Sequence, residues 1–347
     1  MDISWKQSVD RLCHQYFQLE SHLDFPDADH LRLEQVQHEI YGRMFSRESS
    51  EADPPDRYRI KTLKDLVRHI ESAIDDWEKY EVSDAIMSTL STLMAAPTPS
   101  EALTAQKKCS VTYYLSWLDD SFIPSAQEES PPRRSSITLL ENRSLIAAGG
   151  TTGLRTWEAA LHMGQYLCQN SSLVKGKHVL ELGAGTGYLS ILCVKHLEAV
   201  HAIASDGSAD VINNLPENLS LNGLQEFSGV TPMELQWGHA LVGSEDKNWN
   251  TGRPVDIVLG ADITYDRRVI PALIATLLDL FTLYPEVQVY ISATERNADT
   301  YQVFLDVCRD SNLSVKPLPF EVPQRSQQKG PFYNDNVAIK LCRVARR

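Results

Sequence analysis

The chain has 347 residues, a hydrophobic share of 42%, a charged share of 23% and a formal net charge of −13. That apolar content over that length predicts a globular protein of about two domains, and no apolar run approaches the roughly 18 residues of a membrane span. The acidity disfavours phosphate backbones, so no direct nucleic-acid partner is expected, and a basic protein surface is the better electrostatic match.

The N-terminus, Met-Asp-Ile-Ser-Trp-Lys, lacks a basic region followed by an apolar core, so no secretory signal is expected there. Six cysteines (Cys13, Cys109, Cys168, Cys193, Cys308, Cys342) are scattered without a C-x-x-C pair. That pattern suits a reduced, cytoplasmic setting and predicts no metal site. Charge is uneven: residues 1–140 carry 15 Lys and Arg against 24 Asp and Glu, and residues 141–347 carry 18 against 22.

The first third reads helical. Trp5, Val9, Leu12, Tyr16 and Leu19 recur at spacings of three and four, as do Leu63, Leu66, Ile70, Ile74 and Trp77. Ser83 precedes another helix through Met94, and Ser100 precedes one running to about Leu118. Residues 46–57 read as a loop. No fixed-period repeat appears, so a helical solenoid is not expected. Residues 121–135, rich in Ser, Pro, Glu and Arg, read as a linker. The expected division is therefore an accessory or substrate-recognition domain over 1–135 and a second domain over 136–347.

Two short strands, Ile137–Leu140 and Leu145–Ala148, precede Gly149-Gly150-Thr151-Thr152-Gly153. Trp157 then opens a helix. His178-Val-Leu-Glu-Leu-Gly-Ala-Gly-Thr-Gly-Tyr-Leu189 follows: an apolar strand, a turn with glycine at 183, 185 and 187, and a helix. Glycines there let the backbone turn tightly and approach a ligand that a Cβ would exclude. Further strands are expected at 200–205, 233–237, 255–259 and 287–293, with helices at 211–221, 269–283 and 300–311. Late strands at 313–318 and 337–344 have no helix between them and predict an antiparallel hairpin. The whole alternation predicts an α/β fold with a mostly parallel sheet and helices on both faces.

In such sheets a ligand sits beyond the carboxyl ends of the strands. Gly183, Ala184 and Gly185, Asp206, Trp237, and Ala261 with Asp262 all fall at such ends. Asp206, 25 residues after Glu181, can accept both ribose hydroxyls of an adenosine, or serve as a helix cap. Trp237 can lie against an adenine or pack in the core, and Trp157 can anchor its helix or cover a cofactor. A dinucleotide fingerprint would want glycine at 188, where the chain has Tyr188, and there is no G-x-x-x-x-G-K-[ST] phosphate loop. Glu181 has no role in pyrophosphate binding, but can hold an amino group or fix the turn. A pyrophosphate-free adenosine cofactor, S-adenosyl-L-methionine, fits these residues best.

Methyl transfer to a lysine nitrogen needs a deprotonated amine aligned with the sulfonium methyl. Asp262 can attract the ammonium and help its proton leave, and Tyr265 can shape an aromatic channel. In-line positioning and desolvation supply most of such catalysis, so no triad is needed. A helix cap with a packed tyrosine is the plainer reading of the same residues. His178, His196 and His201 lack metal-ligand spacing. Arg296-Asn297 reads equally as a substrate rim or a helix start.

The blocks Thr151–Ala160, Val179–Gly187, Asp206–Ser208, Trp237-Gly238 and Asp262–Asp266 together resemble the seven-β-strand protein-lysine methyltransferases. Within that family, Gly-Thr-Thr-Gly-Leu-Arg-Thr-Trp and the helical N-terminal extension resemble the elongation factor 2 lysine methyltransferases. The resemblance covers residues 136–347. It implies a class I, Rossmann-like S-adenosylmethionine-dependent methyltransferase fold and cofactor contacts at Trp157, Gly183, Ala184, Gly185, Asp206, Trp237 and Ala261. It also implies a lysine site bordered by Asp262 through Tyr265 and, as partner, elongation factor 2, met by a monomer in the cytoplasm. The family motif often has valine where Ile263 and Thr264 stand. Another protein lysine, a small metabolite, or a non-catalytic module of the same fold are the rival readings.

Overall fold

The computed structural model describes residues 4–46, 54–96, 108–119, 135–142, 152–225, 229–242, 249–250 and 252–347. The chain forms two compact units, each gathering segments distant in sequence. One comprises Met1–Tyr114, Leu140–Leu145 and Lys329–Phe332; the other comprises Leu115–Leu139, Ile146–Gln328 and Tyr333–Arg347. Of the expected linker only Ser135 is described. The expected strand at 145–148, the glycines at 149 and 150 and most of the 46–57 loop lie outside the described residues.

The first unit holds α1 (Ser4–Phe17), α2 (Ala28–Leu31), α3 (Glu34–Met44), α4 (Asp56–Ala73), α5 (Asp84–Ala95) and β1 (Cys109–Tyr114). Residues at helical spacing on α1, α3 and α4 close one core: Val9, Leu12 and Tyr16 meet Val36, Ile40, Leu63, Leu66 and Ile70, all fully buried. Trp77, expected on this face, lies beyond the end of α4 and is 61% exposed. Segment 329–332 joins this unit through Gln18, whose carboxamide accepts from the Phe332 N–H at 2.8 Å and donates to the Phe332 carbonyl.

Within the helix expected to run to Leu118, Cys109–Tyr114 is instead strand β1. Val111, Thr112, Tyr113 and Tyr114 are β-branched or aromatic, and Val111 and Tyr113 are buried while Thr112 and Tyr114 are half-buried, the alternation of a pleated strand. The buried Tyr113 hydroxyl donates to Glu141 Oε1 at 2.7 Å. A short turn of helix, α6 (Ser116–Asp119), follows β1, and β2 spans Ser136–Glu141.

The second unit continues with α7 (Glu158–Gln169), β3 (His178–Leu182), α8 (Tyr188–Lys195), β4 (His201–Asp206), α9 (Ala209–Leu221), β5 (Val230–Glu234) and β6 (Ile257–Ala261). It ends with α10 (Ile270–Leu283), β7 (Gln288–Thr294), α11 (Ala298–Asp310), β8 (Leu313–Pro317) and β9 (Ile339–Arg346). Its seven strands lie in the order β5-β4-β3-β6-β7-β9-β8. The first five are parallel; β9 runs antiparallel to both β7 and β8. This is the class I S-adenosylmethionine-dependent methyltransferase fold, with the expected terminal hairpin. From β3 the chain first steps to β4 and β5 and later returns to β6 on the other flank. The carboxyl ends of β3 and β6 therefore open the switch-point crevice where ligands of open α/β sheets bind.

One strand differs from expectation. The strand expected at 233–237 is instead Val230–Glu234 (β5). It is the edge strand, and accommodates Pro232, which a central strand would not. Trp237 packs against the core from the segment after it.

Candidate active site

The site begins with the turn between β3 and α8. Gly183 has φ +67°, and a Cβ built there would lie 2.7 Å from Ile263 Cγ2; Gly185 has φ +54°, with a Cβ 3.1 Å from the Gly153 carbonyl oxygen. Both positions thus demand glycine for conformation and for space. The turn is locked from beneath. Ala184 N–H donates to the Ser205 carbonyl at 2.8 Å, the Thr186 and Thr156 hydroxyls share a buried 2.7 Å hydrogen bond, and Asn218 Nδ2 donates to the Thr186 carbonyl at 2.9 Å.

Glu181 is buried in β3, and its Oε2 accepts from Ser190 N–H at 2.9 Å and Ser190 Oγ at 2.5 Å. The carboxylate therefore satisfies the first turn of α8, where the helix dipole favours negative charge. Burial nevertheless raises its pKa to about 7, against the pull of the Ser190 hydrogen bonds. Of the roles considered for Glu181, fixing the turn is the one these bonds support.

Asp206 ends β4. Its Oδ2 accepts from Gly185 N–H at 3.2 Å and its Oδ1 from Ser208 N–H at 3.0 Å. Ser208, not Asp206, is the N-cap residue of α9. Burial raises the Asp206 pKa, opposed by the backbone N–H groups of Ser208, Gly185 and Gly207. The carboxylate keeps acceptor capacity for another donor. Trp237 sets its ring edge against the turn, Cζ2 lying 3.5 Å from where a Gly183 Cβ would be. Its Nε1 is buried without an acceptor.

On the other flank, Asp262 follows β6 with φ +52°, and its N–H donates to the Ser292 carbonyl at 2.8 Å. Its carboxylate is held by Thr294 at the end of β7: the N–H donates to Oδ1 at 2.7 Å and the hydroxyl to Oδ2 at 2.9 Å. Burial raises the Asp262 pKa and these bonds oppose the rise. Tyr265 stands 60% exposed. Trp157 is the N-cap residue of α7, and its indole N–H donates to the Thr152 carbonyl at 3.0 Å. Arg155 and Arg296 lie over its ring, 5.1 and 4.8 Å from the centroid, and Arg296 pairs with Glu158 at 2.9 Å. Asn297 caps α11 by accepting from Asp299 and Thr300 N–H.

The residues expected to hold the cofactor and border the lysine converge, whereas Arg296, Asn297, His178, His196 and His201 do not line the same cavity. Trp157, Glu181, Gly183, Ala184, Gly185, Asp206, Trp237, Ala261, Asp262 and Tyr265 line one cavity of about 380 Å³, the size of a small-molecule site. Sequence reasoning missed Arg155, which also lines it, and Thr294, which orients Asp262. Arg155 sits two residues before Trp157 in the quoted block, so proximity was its only signal; Thr294 gave none. Among the described residues no group of His, Cys, Asp or Glu could hold a metal ion, and no helix is long and apolar enough to cross a membrane.

The cavity fits an adenosine bearing a cationic amino-acid arm. Glycine space lies between two carboxylates, Asp206 and Asp262, and buried donors on Trp237 and Arg155 lack acceptors. The lysine methyltransferase family profile matches residues 143–310. The chain is 55% identical over 336 residues to the protein-lysine N-methyltransferase EFM3 of Chaetomium thermophilum, covering 97% of each chain. It is 33% identical over 193 residues to EFM3 of Saccharomyces cerevisiae (51% of this chain, 54% of that protein). It is 31% identical over 225 residues to the human protein-lysine N-methyltransferase EEF2KMT (61% and 65%). Among solved structures, a SAM-dependent methyltransferase from Aquifex aeolicus aligns with 16% identity and a TM-score of 0.37, covering 53% of this chain and 90% of that one.

Proposed function

Because this chain belongs to the lysine methyltransferase family, as an S-adenosylmethionine-dependent protein-lysine N-methyltransferase, we propose that it methylates a lysine of elongation factor 2. The similarity to relatives named EEF2KMT in human, cow and mouse supports this acceptor. So does the resemblance of the Gly-Thr-Thr-Gly-Leu-Arg-Thr-Trp block to the elongation factor 2 lysine methyltransferases.

The cofactor supplies an activated methyl on sulfonium. Gly183, Ala184, Gly185, Trp157, Trp237, Ala261 and Asp206 hold it, with Asp206 offering its remaining acceptor capacity to the ribose. Glu181 keeps the turn in shape. The observation that carries the catalytic reading is the clamped Asp262 carboxylate. Thr294 leaves each oxygen one lone pair, enough to bind an incoming ammonium and to receive its proton. Burial makes the isolated carboxylate unfavourable, so pairing with a lysine cation is favoured. Tyr265 borders the acceptor's path. The residues 1–135 act as a partner-recognition domain, an assignment supported by their acidic balance. The six cysteines are free thiols, which suits the cytoplasmic setting of a translation factor.

Intact-mass measurement of elongation factor 2 from cells with and without this protein tests the acceptor. A loss of one or more 14 Da increments without it is expected; an unchanged mass would remove the substrate assignment. In vitro, Asp262→Ala should abolish transfer of labelled methyl while the cofactor still binds.

A further inference from the structure

S-adenosylmethionine carries three charges: a sulfonium, an α-ammonium and an α-carboxylate. Three acidic residues line the cavity, Glu181, Asp206 and Asp262, so a carboxylate placed there without a cationic partner would be repelled. Among the described lining residues, Arg155 is the side chain with a permanent positive charge. Its neighbour Arg296 is already paired with Glu158. Arg155 makes no ion pair or hydrogen bond with a described residue, and its buried Nε–H has no acceptor, an unfavourable state that a ligand oxygen would relieve.

We propose that Arg155 is the receptor for the α-carboxylate of the methionine arm. Its placement supports this role. The guanidinium lies over the Trp157 ring at 5.1 Å, and that ring is itself fixed by the Trp157–Thr152 hydrogen bond. The cation–π contact holds the guanidinium beside the ring, and its forked N–H groups suit a planar, two-oxygen partner. Arg155 and Trp157 come from the segment before α7, whereas Asp206 ends β4 and Trp237 lies in the segment after β5. The anion-accepting and ribose-accepting parts of the cavity are thus built from separate elements, as a ligand with an adenosine at one end and a carboxylate at the other requires. The inference rests on assigning this cavity to the cofactor.

The test compares S-adenosylmethionine with its decarboxylated analogue, which keeps the adenosine, sulfonium and amine, by calorimetry on the full chain. Bulk electrostatics of an acidic cavity would favour the analogue, since it carries one more net positive charge. Pairing with Arg155 predicts the reverse: wild type prefers the carboxylated compound by about tenfold or more. Arg155→Met should weaken that compound by about tenfold while shifting the analogue less than about twofold, and Arg155→Lys should fall between. Equal weakening of both ligands would overturn the proposal and make Arg155 a support for Trp157. A wild type that does not discriminate would overturn it as well. Failure of wild type to bind either compound would remove the cavity assignment, and the inference with it.

Discussion

Thr294 donates twice to Asp262, from its backbone to one carboxylate oxygen and from its hydroxyl to the other. The pair is brought together by the β6–β7 register, in which Ala261 lies opposite Ser292. Thr294→Val keeps the shape and the backbone bond but frees one oxygen to rotate. We expect methyl-transfer kcat to fall by about tenfold, roughly the 1.4 kcal/mol of one charge-assisted hydrogen bond. Thr294→Ser should stay within about twofold, and cofactor affinity should be unchanged in both. Steady-state kinetics beside calorimetry distinguishes this from a folding defect, which would lower affinity and kcat together.

Gly183 and Gly223 have similar left-handed backbones, φ +67° and +71°, but different surroundings. A Cβ at Gly183 meets Ile263, whereas one at Gly223 has no atom within 4 Å. Both alanine variants should lose about 1 kcal/mol or more for the backbone alone. Gly183→Ala should lose roughly 1–3 kcal/mol further from the collision, lowering Tm by several degrees more than Gly223→Ala. Equal Tm losses in a calorimetric scan would show that Ile263 yields freely.

His162 on α7 is fully buried, and burial lowers its pKa to about 4, offset in part by the backbone of Phe320 and Glu321. The unfolded chain therefore binds this proton first as pH falls. The neutral ring's stability contribution is intact above about pH 6.5 and is lost progressively below it, by about 2 kcal/mol at pH 5. His162→Leu removes the titration. Its Tm should fall less than that of wild type between pH 7 and pH 5, and parallel pH profiles would refute the assignment.

The parallel strands were legible because burial on both faces makes each a short apolar run, as in Val179–Leu182. Glycine spacing and the positions of Asp206 and Asp262 at strand ends marked the cavity for the same reason: the sheet sets where a ligand can lie. The strand expected to end at Trp237 stops at Glu234, because Trp237 packs against the core from the following segment and such burial does not require a strand. The helix expected from the Ser100 cap to Leu118 fails at Val111–Tyr114, where β-branched and aromatic side chains favour a strand. Thr294 and Arg155 were invisible for a different reason. Their importance arises from neighbours across strand pairing and ring stacking, and no local pattern encodes either.

The place of β3 between β4 and β6 has an evolutionary corollary. Asp206 and Asp262 hang from opposite neighbours of one shared strand, about two strand spacings apart. Substitutions that retune the loop after β6 for a new acceptor leave the β4 side undisturbed, so a lineage can change what it modifies while inheriting its methyl donor intact.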